Sequence, residues 1–160
     1  MDVVKKLRGH ATINFYQDDK LIHTMADNNK ILPTAKQMVV SAMLNQDFII
    51  KYIRIHYKES TTSSEIKQAT FNIGETLLID NSGLESNLDE VTDGKYAICG
   101  VSYSIYTSKF QVGNIITKVE LCYGEGSTAT SGDRVFSEKE VTAWQIPPTT
   151  SVAVIWRLYF

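Results

Sequence analysis

The chain has 160 residues, of which 43% are hydrophobic and 21% are charged. This length suits one domain, and the composition is that of a globular protein and not of a disordered one. Lys and Arg number 16 and Asp and Glu 18, for a formal net charge of -2. A general binder of nucleic acid or anionic membranes would carry a basic surplus, so the charge argues against both classes.

The first two predicted strands form a hairpin. Residues 11–16 and 20–25 both read as short strands, and Gln17-Asp18-Asp19 between them supplies turn residues. Residues 26–30, with the sequence ADNNK, are rich in turn formers and predict that the second strand ends there.

One segment predicts a helix, from about Pro33 to Leu44. Its apolar residues recur at helical spacing and make one continuous stripe, which favours a helix laid over a sheet. The stripe consists of Ala35, Met38, Val39, Ala42 and Met43, and the opposite side of Lys36, Gln37 and Ser41.

Strands dominate the rest of the chain, separated by polar, acidic or Gly-rich connections. Alternation and β-branched content predict them at 48–57, 69–73, 76–79, 95–106, 116–123, 134–144 and 150–160. The count and spacing predict a mainly β fold, an antiparallel sandwich of jelly-roll or immunoglobulin-like type with one amphipathic helix at 33–44. We expect one domain over 1–160, in which 1–10 could form an N-terminal arm.

The last strand is the most apolar stretch of the chain. Val152, Val154, Trp156, Leu158 and Phe160 share one side, and Ala153, Ile155 and Tyr159 share the other with Arg157. Apolar residues on both sides predict an interior strand that is covered on two faces.

Cysteine and histidine patterns do not indicate a metal or redox site. Cys99 and Cys122 both lie in apolar runs and are interpreted as buried thiols, although a disulfide between neighbouring strands stays open. The sequence has no CxxC pair, and His10, His23 and His56 lack a neighbour at ligand spacing. The N-terminus lacks the apolar core of a signal peptide, so we expect a soluble protein made in the cytoplasm of its host.

Motifs for catalysis and cofactor binding are also missing from the sequence, so we predict no enzyme and no cofactor. Gly124-Glu125-Gly126 lacks the third glycine and the following helix of a phosphate loop. Five acidic residues could hold calcium, but their spacing is not that of an EF-hand and a solvated surface is the preferred interpretation. They are Asp80, Glu85, Asp89, Glu90 and Asp93.

A loop around Phe110 is the best candidate for a partner contact. In Ser108-Lys109-Phe110-Gln111-Val112 an exposed aromatic beside Val112 could anchor another protein. The alternative is that the loop folds Phe110 back onto the end of the sandwich.

Two stretches resemble a known class of protein. The first is Asn28-Asn29-Lys30 before the apolar helix and the strand at 49–57, and the second runs from Arg134-Val135-Phe136-Ser137 through Pro147-Pro148 to the closing strand with Trp156, Leu158 and Phe160. Together they resemble small virion structural proteins of tailed bacteriophages, of the tail, collar or head-decoration type. The resemblance implies a non-catalytic building block of the virion that assembles with copies of itself or with other phage proteins.

A second hypothesis comes from a different class, the carbohydrate-binding sandwich. Tyr52, Tyr103, Tyr106 and Trp144 would then stack on sugar rings. The sequence supports no third, enzymatic hypothesis at the level of residues.

Overall fold

In a computed structural model, residues 8–44, 48–73, 100–126 and 128–159 are described. The described part contains strands and one helix, in the order β1 (Arg8–Gln17), β2 (Lys20–Ile31), α1 (Ala35–Met43), β3 (Phe48–Lys58), β4 (Lys67–Asn72), β5 (Gly100–Thr107), β6 (Ile115–Glu125), β7 (Arg134–Glu140) and β8 (Thr150–Tyr159). No helix among these residues is long and apolar enough to cross a membrane.

The strands form two antiparallel sheets that join at one corner. One sheet has the order β4-β3-β6-β7 and the other β2-β1-β8-β5, and together they make a ladder of eight strands. The join is short, because β2 pairs with β7 only at Lys30↔Glu138 and Ile31↔Ser137. The predicted mainly β, antiparallel architecture is confirmed.

Side chains from both sheets meet in one hydrophobic cluster. In β1 and β8 the buried positions alternate strictly with half-buried or exposed ones, which is the pattern of strands with one face on a core. The cluster contains Ala11, Ile13, Phe15, Ala35, Ile53, Ile55, Ala69, Ile105, Phe110, Ile116, Val119, Leu121, Tyr123, Phe136, Ile146, Val152, Val154, Trp156 and Leu158.

β8 is an interior strand, as its sequence predicts, lying between β1 and β5. The four members of its predicted apolar side that are described are buried, and Trp156 is 0% exposed. Its other face is less covered than predicted, because Ala153 and Ile155 are half-buried and Arg157 is exposed. The expectation of cover on two sides is therefore wrong, and Phe160 lies outside the described residues.

β2 is longer than its sequence predicts. Residues 26–30 continue the strand instead of turning, because their backbone pairs with β1 as far as Gly9↔Asn29 and then with β7 at Lys30. Pairing with β1 outweighs the weak strand preference of Asp27, Asn28 and Asn29. This extension allows one strand to belong to both sheets.

A β-bulge in β3 changes which residues face the core. The pairing with β6 skips from Ile50↔Tyr123 to Tyr52↔Cys122, so Lys51 is an extra residue between them. An inserted residue reverses the alternation, so Phe48 and Ile50 share the core side with Ile53 and Ile55. Uninterrupted alternation would place Ile49 on the same side as Ile53, but Ile49 is 43% exposed.

β7 is shorter than predicted. It ends at Glu140, and residues 141–144 leave the strand before Gln145 makes an isolated bridge to Ile115. The backbone N–H of Val141 still donates to the carbonyl of Thr117 over 3.0 Å, so the segment stays beside β6.

The helix α1 lies against the sheet that contains β3 and β7. Ala35 is buried as the stripe predicts, but Ser41, which the sequence placed opposite, is also buried, and Val40 is 53% exposed. The Tyr123 hydroxyl fixes the start of the helix by donating to the Thr34 carbonyl over 2.6 Å.

Several sequence predictions lie outside the described residues. They are the first seven residues of the N-terminal arm, the strand at 76–79, the acidic residues considered for calcium, and Cys99. Arg8, Gly9 and His10 of the predicted arm are the first residues of β1.

Candidate interaction surfaces

A row of charged residues crosses the outer face of the β3-β6-β7 sheet. The register places Arg54 beside Glu120 and Glu120 beside Glu138, while His56 lies beside Lys118. Because residues opposite each other on one face of a sheet interact directly, these acidic and basic side chains form one connected array. Lys118 links two of the carboxylates, with its Nζ 3.8 Å from Glu120 and 3.9 Å from Glu138.

Glu120 is the centre of this array and is itself buried, at 5% exposed. Its Oε1 accepts hydrogen bonds from Arg54 Nε, over 2.9 Å, and pairs with His56 Nε2. Burial alone would raise the pKa of Glu120, but the hydrogen bonds from His56 and Arg54 and their charges outweigh burial and lower it.

The arrangement favours a fixed carboxylate over a proton-transfer group. A general base needs a pKa near the working pH, which for a carboxyl group means a raised pKa, whereas the pKa of Glu120 is lowered. Arg54, His56 and Lys118 surround its oxygens, so we interpret the row as a rigid charged face.

A second ionic cluster lies inside the protein beneath the loop that follows β6. Lys51, the bulge residue, places its Nζ 2.6 Å from Asp133 Oδ1, and the two side chains are 0% and 2% exposed. Lys51 also donates to the Thr128 carbonyl over 2.7 Å. The Tyr52 hydroxyl donates to Asp133 Oδ2 over 3.0 Å, and the Thr130 N–H donates to the same oxygen over 2.7 Å.

These contacts explain the charge state of Asp133. Burial would raise the pKa of its carboxyl, but bonds from Lys51, the Thr130 backbone and Tyr52 outweigh burial and lower it. The cluster ties residues 128–133 to β3. The sequence predicts only a Gly-rich connection here, although a lysine within the apolar run Ile49-Ile50-Lys51-Tyr52-Ile53 is a signal that a buried partner exists.

Cys122 lies next to this cluster and is a free, buried thiol. Burial raises its pKa to about 12. Because the thiolate is the reactive form, this side chain behaves as a small apolar residue, as the sequence interpretation expects.

A groove opens where β2 and β7 separate. It has a volume of about 490 Å³, and its walls are residues 23–26 of β2 and residues 139–144 at and beyond the end of β7. β2 and β7 are paired only at Lys30↔Glu138 and Ile31↔Ser137. Beyond these pairs the two strands separate, because β2 stays paired with β1 and β7 stays paired with β6. Thr24 and Trp144, which would face each other if the pairing continued, lie on opposite walls of the groove. The groove is therefore the open mouth between the two sheets.

An aromatic stack forms part of the wall of the groove. The rings of His23 and Trp144 are 4.3 Å apart and nearly parallel, and Phe15 lies 4.6 Å from Trp144. Sequence reasoning missed this contact, because His23 and Trp144 are distant in the chain and each alone has an ordinary strand context.

The structure separates the two residues of the predicted partner contact. Phe110 is 5% exposed and packs against Tyr57 and Phe71, with ring centroids 5.0 and 6.0 Å apart, whereas Val112 is 62% exposed. Phe110 is therefore folded back onto the core, as in the alternative interpretation of this loop. A partner contact at this loop stays a prediction, with Val112 as its exposed member.

The four aromatic residues of the carbohydrate hypothesis do not form one platform. Tyr52 is 3% exposed and bonded to Asp133, and Tyr103 packs against the core. Trp144 stacks on His23 in the groove, while Tyr106 on β5 is 64% exposed. Sugar stacking by all four at once is not supported by these positions.

The described residues contain no group of three or more His, Cys, Asp or Glu side chains that could hold a metal ion. Comparisons with family models, with curated proteins and with solved structures find no match to this chain.

Proposed function

We propose that the chain is a non-enzymatic structural component of a tailed-phage virion, in the tail, the neck or the head surface, and that it acts through protein–protein contacts. The phage assignment rests on the resemblance of the helix region and the closing strand to virion proteins. The jelly-roll or immunoglobulin-like type of the sandwich is part of this proposal.

The strand order is the observation that supports contacts between proteins most directly. The ladder begins at β4 and ends at β5, and among the described residues each of these pairs with one neighbour only. An edge strand presents unpaired N–H and C=O groups, and these are ready sites for pairing with another chain.

The rest of the fold provides a rigid body behind these edges. The Lys51–Asp133 pair fixes the loop at 128–133, and the row centred on Glu120 crosses three strands of one sheet. A subunit that transmits force or holds a fixed position in a shell requires such rigidity.

Immunogold electron microscopy tests the proposal. Antibodies against the recombinant chain are applied to phage particles purified from the host that encodes it. We expect label at one defined position on the particle, whether tail, collar or head. Label confined to unassembled material, with clean particles that contain no trace of the chain by mass spectrometry, would overturn the proposal.

A glycan array with the same protein tests the alternative, carbohydrate-binding function. The structural proposal expects no binding above background. Specific binding that Tyr106→Ala or Trp144→Ala removes would favour the alternative.

A further inference from the structure

In the part of the chain that the structure describes, β5 is an edge strand, and it lacks the features that usually protect such a strand. Its sequence, GVSYSIYT, contains no charged residue and no proline over eight residues. It pairs with β8 without a register shift, from Gly100↔Tyr159 to Thr107↔Val152. Natural edge strands are commonly blunted by lysine, proline, a bulge or short length, and β5 has none of the four.

The opposite edge of the ladder is different. β4 has six residues and begins with Lys67, whose Nζ lies 2.7 Å from Glu59. A charged pair at the start of a short strand opposes the approach of another strand. The two edges are therefore not equivalent, and of the edges that the described strands form, β5 is the open one.

The two faces of β5 fit an added strand. Ile105 is 7% exposed and Tyr103 packs against the core, so the strand is anchored on its inner side. On the outer side Ser104 is half-buried and Tyr106 is 64% exposed. A strand paired along β5 would cover part of the Tyr106 ring in addition to the free backbone groups.

We propose that two copies of this chain pair through β5, antiparallel about a twofold axis, so that their ladders become one continuous sheet. Identical antiparallel strands satisfy each other's outward N–H and C=O groups, and a strand without charge meets its copy without like-charge repulsion. The inference rests on the proposed function, in which the chain acts through protein–protein contacts, and it names a second copy of the chain as the partner at β5.

A charge introduced at the middle of β5 tests this pairing. Ser104→Lys places two ammonium groups close together across the twofold axis, and like charges opposite each other destabilise a strand pair. Gln68→Lys adds the same charge at an exposed position of β4 and is the matched control. The solution mass is measured by light scattering after size exclusion, over a range of protein concentrations.

We expect the wild type to have twice the 18.0 kDa mass of the chain, or an even multiple of it. Ser104→Lys should lower this mass and Gln68→Lys should not. A wild type that is monomeric at every concentration overturns the proposal, and so does an assembly of any size that Ser104→Lys leaves unchanged. Thermal unfolding of each variant shows whether it is folded.

Cross-linking keeps the test decisive if Ser104→Lys does not fold. Ser104→Cys should form a disulfide-linked dimer on mild oxidation, whereas Thr70→Cys on β4 and the wild type should not. Equal cross-linking of the two cysteine variants would overturn the β5 pairing. Neither mass nor cross-linking depends on the immunogold result, so failure of this interface and failure of the virion assignment are distinguishable.

Discussion

Lys51 and Asp133 form an ion pair that is closed to solvent, with 2.6 Å between Nζ and Oδ1. The two residues are far apart in the chain, and the bulge in β3 places Lys51 next to Tyr52, so that both side chains reach Asp133. Removing one partner from a buried pair leaves the other charge uncompensated, which costs more than the pair itself contributes.

Lys51→Met should therefore destabilise the protein strongly, by about 3–5 kcal/mol in the free energy of unfolding. Urea unfolding followed by tryptophan fluorescence measures the change. In the double variant Lys51→Met/Asp133→Asn neither charge is present, so it should be more stable than the sum of the single effects predicts. Additive effects would show that the two groups do not interact in solution.

Gly124 is required because the Asp133 carboxylate occupies the space next to it. A Cβ added at Gly124 would lie 2.2 Å from Asp133 Oδ1, whereas one at Gly132 meets nothing closer than 3.9 Å. We expect Gly124→Ala to destabilise the fold by about 1–3 kcal/mol or more, since Asp133 must move away from Lys51. Gly132→Ala, the matched control, should stay within about 0.5 kcal/mol of the wild type. Similar melting temperatures for the two variants would contradict this account.

The sequence predicts the β-rich class and the buried side of β8, because one-sided alternation over many residues is a strong local signal. It misses the extension of β2, since Asp27, Asn28 and Asn29 favour turns and only their pairing with β1 makes them strand. It misplaces Ile49 because one bulge residue, Lys51, reverses the alternation of β3.

The candidate surfaces were less accessible to sequence reasoning than the fold. The stack of His23 on Trp144 and the charged row around Glu120 join residues from separate strands, and their contact depends on strand order. Strand order is decided by long-range packing, which no local pattern in a single sequence records. The open edge of β5 is an intermediate case: its lack of charge is visible in the sequence, and its position at the end of the sheet is not.

The protein should lose stability as the pH falls below the ordinary pKa values of its carboxyl groups. The folded-state pKa values of Asp133 and Glu120 are both lowered. Above the unfolded-state pKa values, about 3.9 for Asp and 4.3 for Glu, both carboxylates contribute fully to the free energy of unfolding. This contribution is lost as the pH falls from there toward the lower folded-state pKa values. Melting temperatures should be nearly constant from about pH 7 to 5 and decline below about pH 4.5.

Asp133→Asn should make this acid decline shallower, although its melting temperature at neutral pH is lower. The control is Glu59→Gln, in the exposed Lys67–Glu59 pair, whose side chains are 39% and 58% exposed. Because surface pairs contribute little, this variant should follow the wild-type curve. Parallel curves for Asp133→Asn and the wild type would show that Asp133 does not carry the pH dependence.

Trp156 is the largest fully buried side chain of the described core, and its substitution tests the packing of the two sheets. Trp156→Ala should lower the free energy of unfolding by about 3–5 kcal/mol, because it removes a large apolar surface and leaves a cavity.

The indole Nε1 of Trp156 is buried without a hydrogen-bond partner among the described residues. Trp156→Phe removes that unsatisfied donor and keeps a ring, so it should cost clearly less than the alanine variant. Equilibrium unfolding of both variants measures the difference. Equal losses would show that the donor is satisfied in solution, and an unchanged stability for Trp156→Ala would show that β8 does not lie in the core.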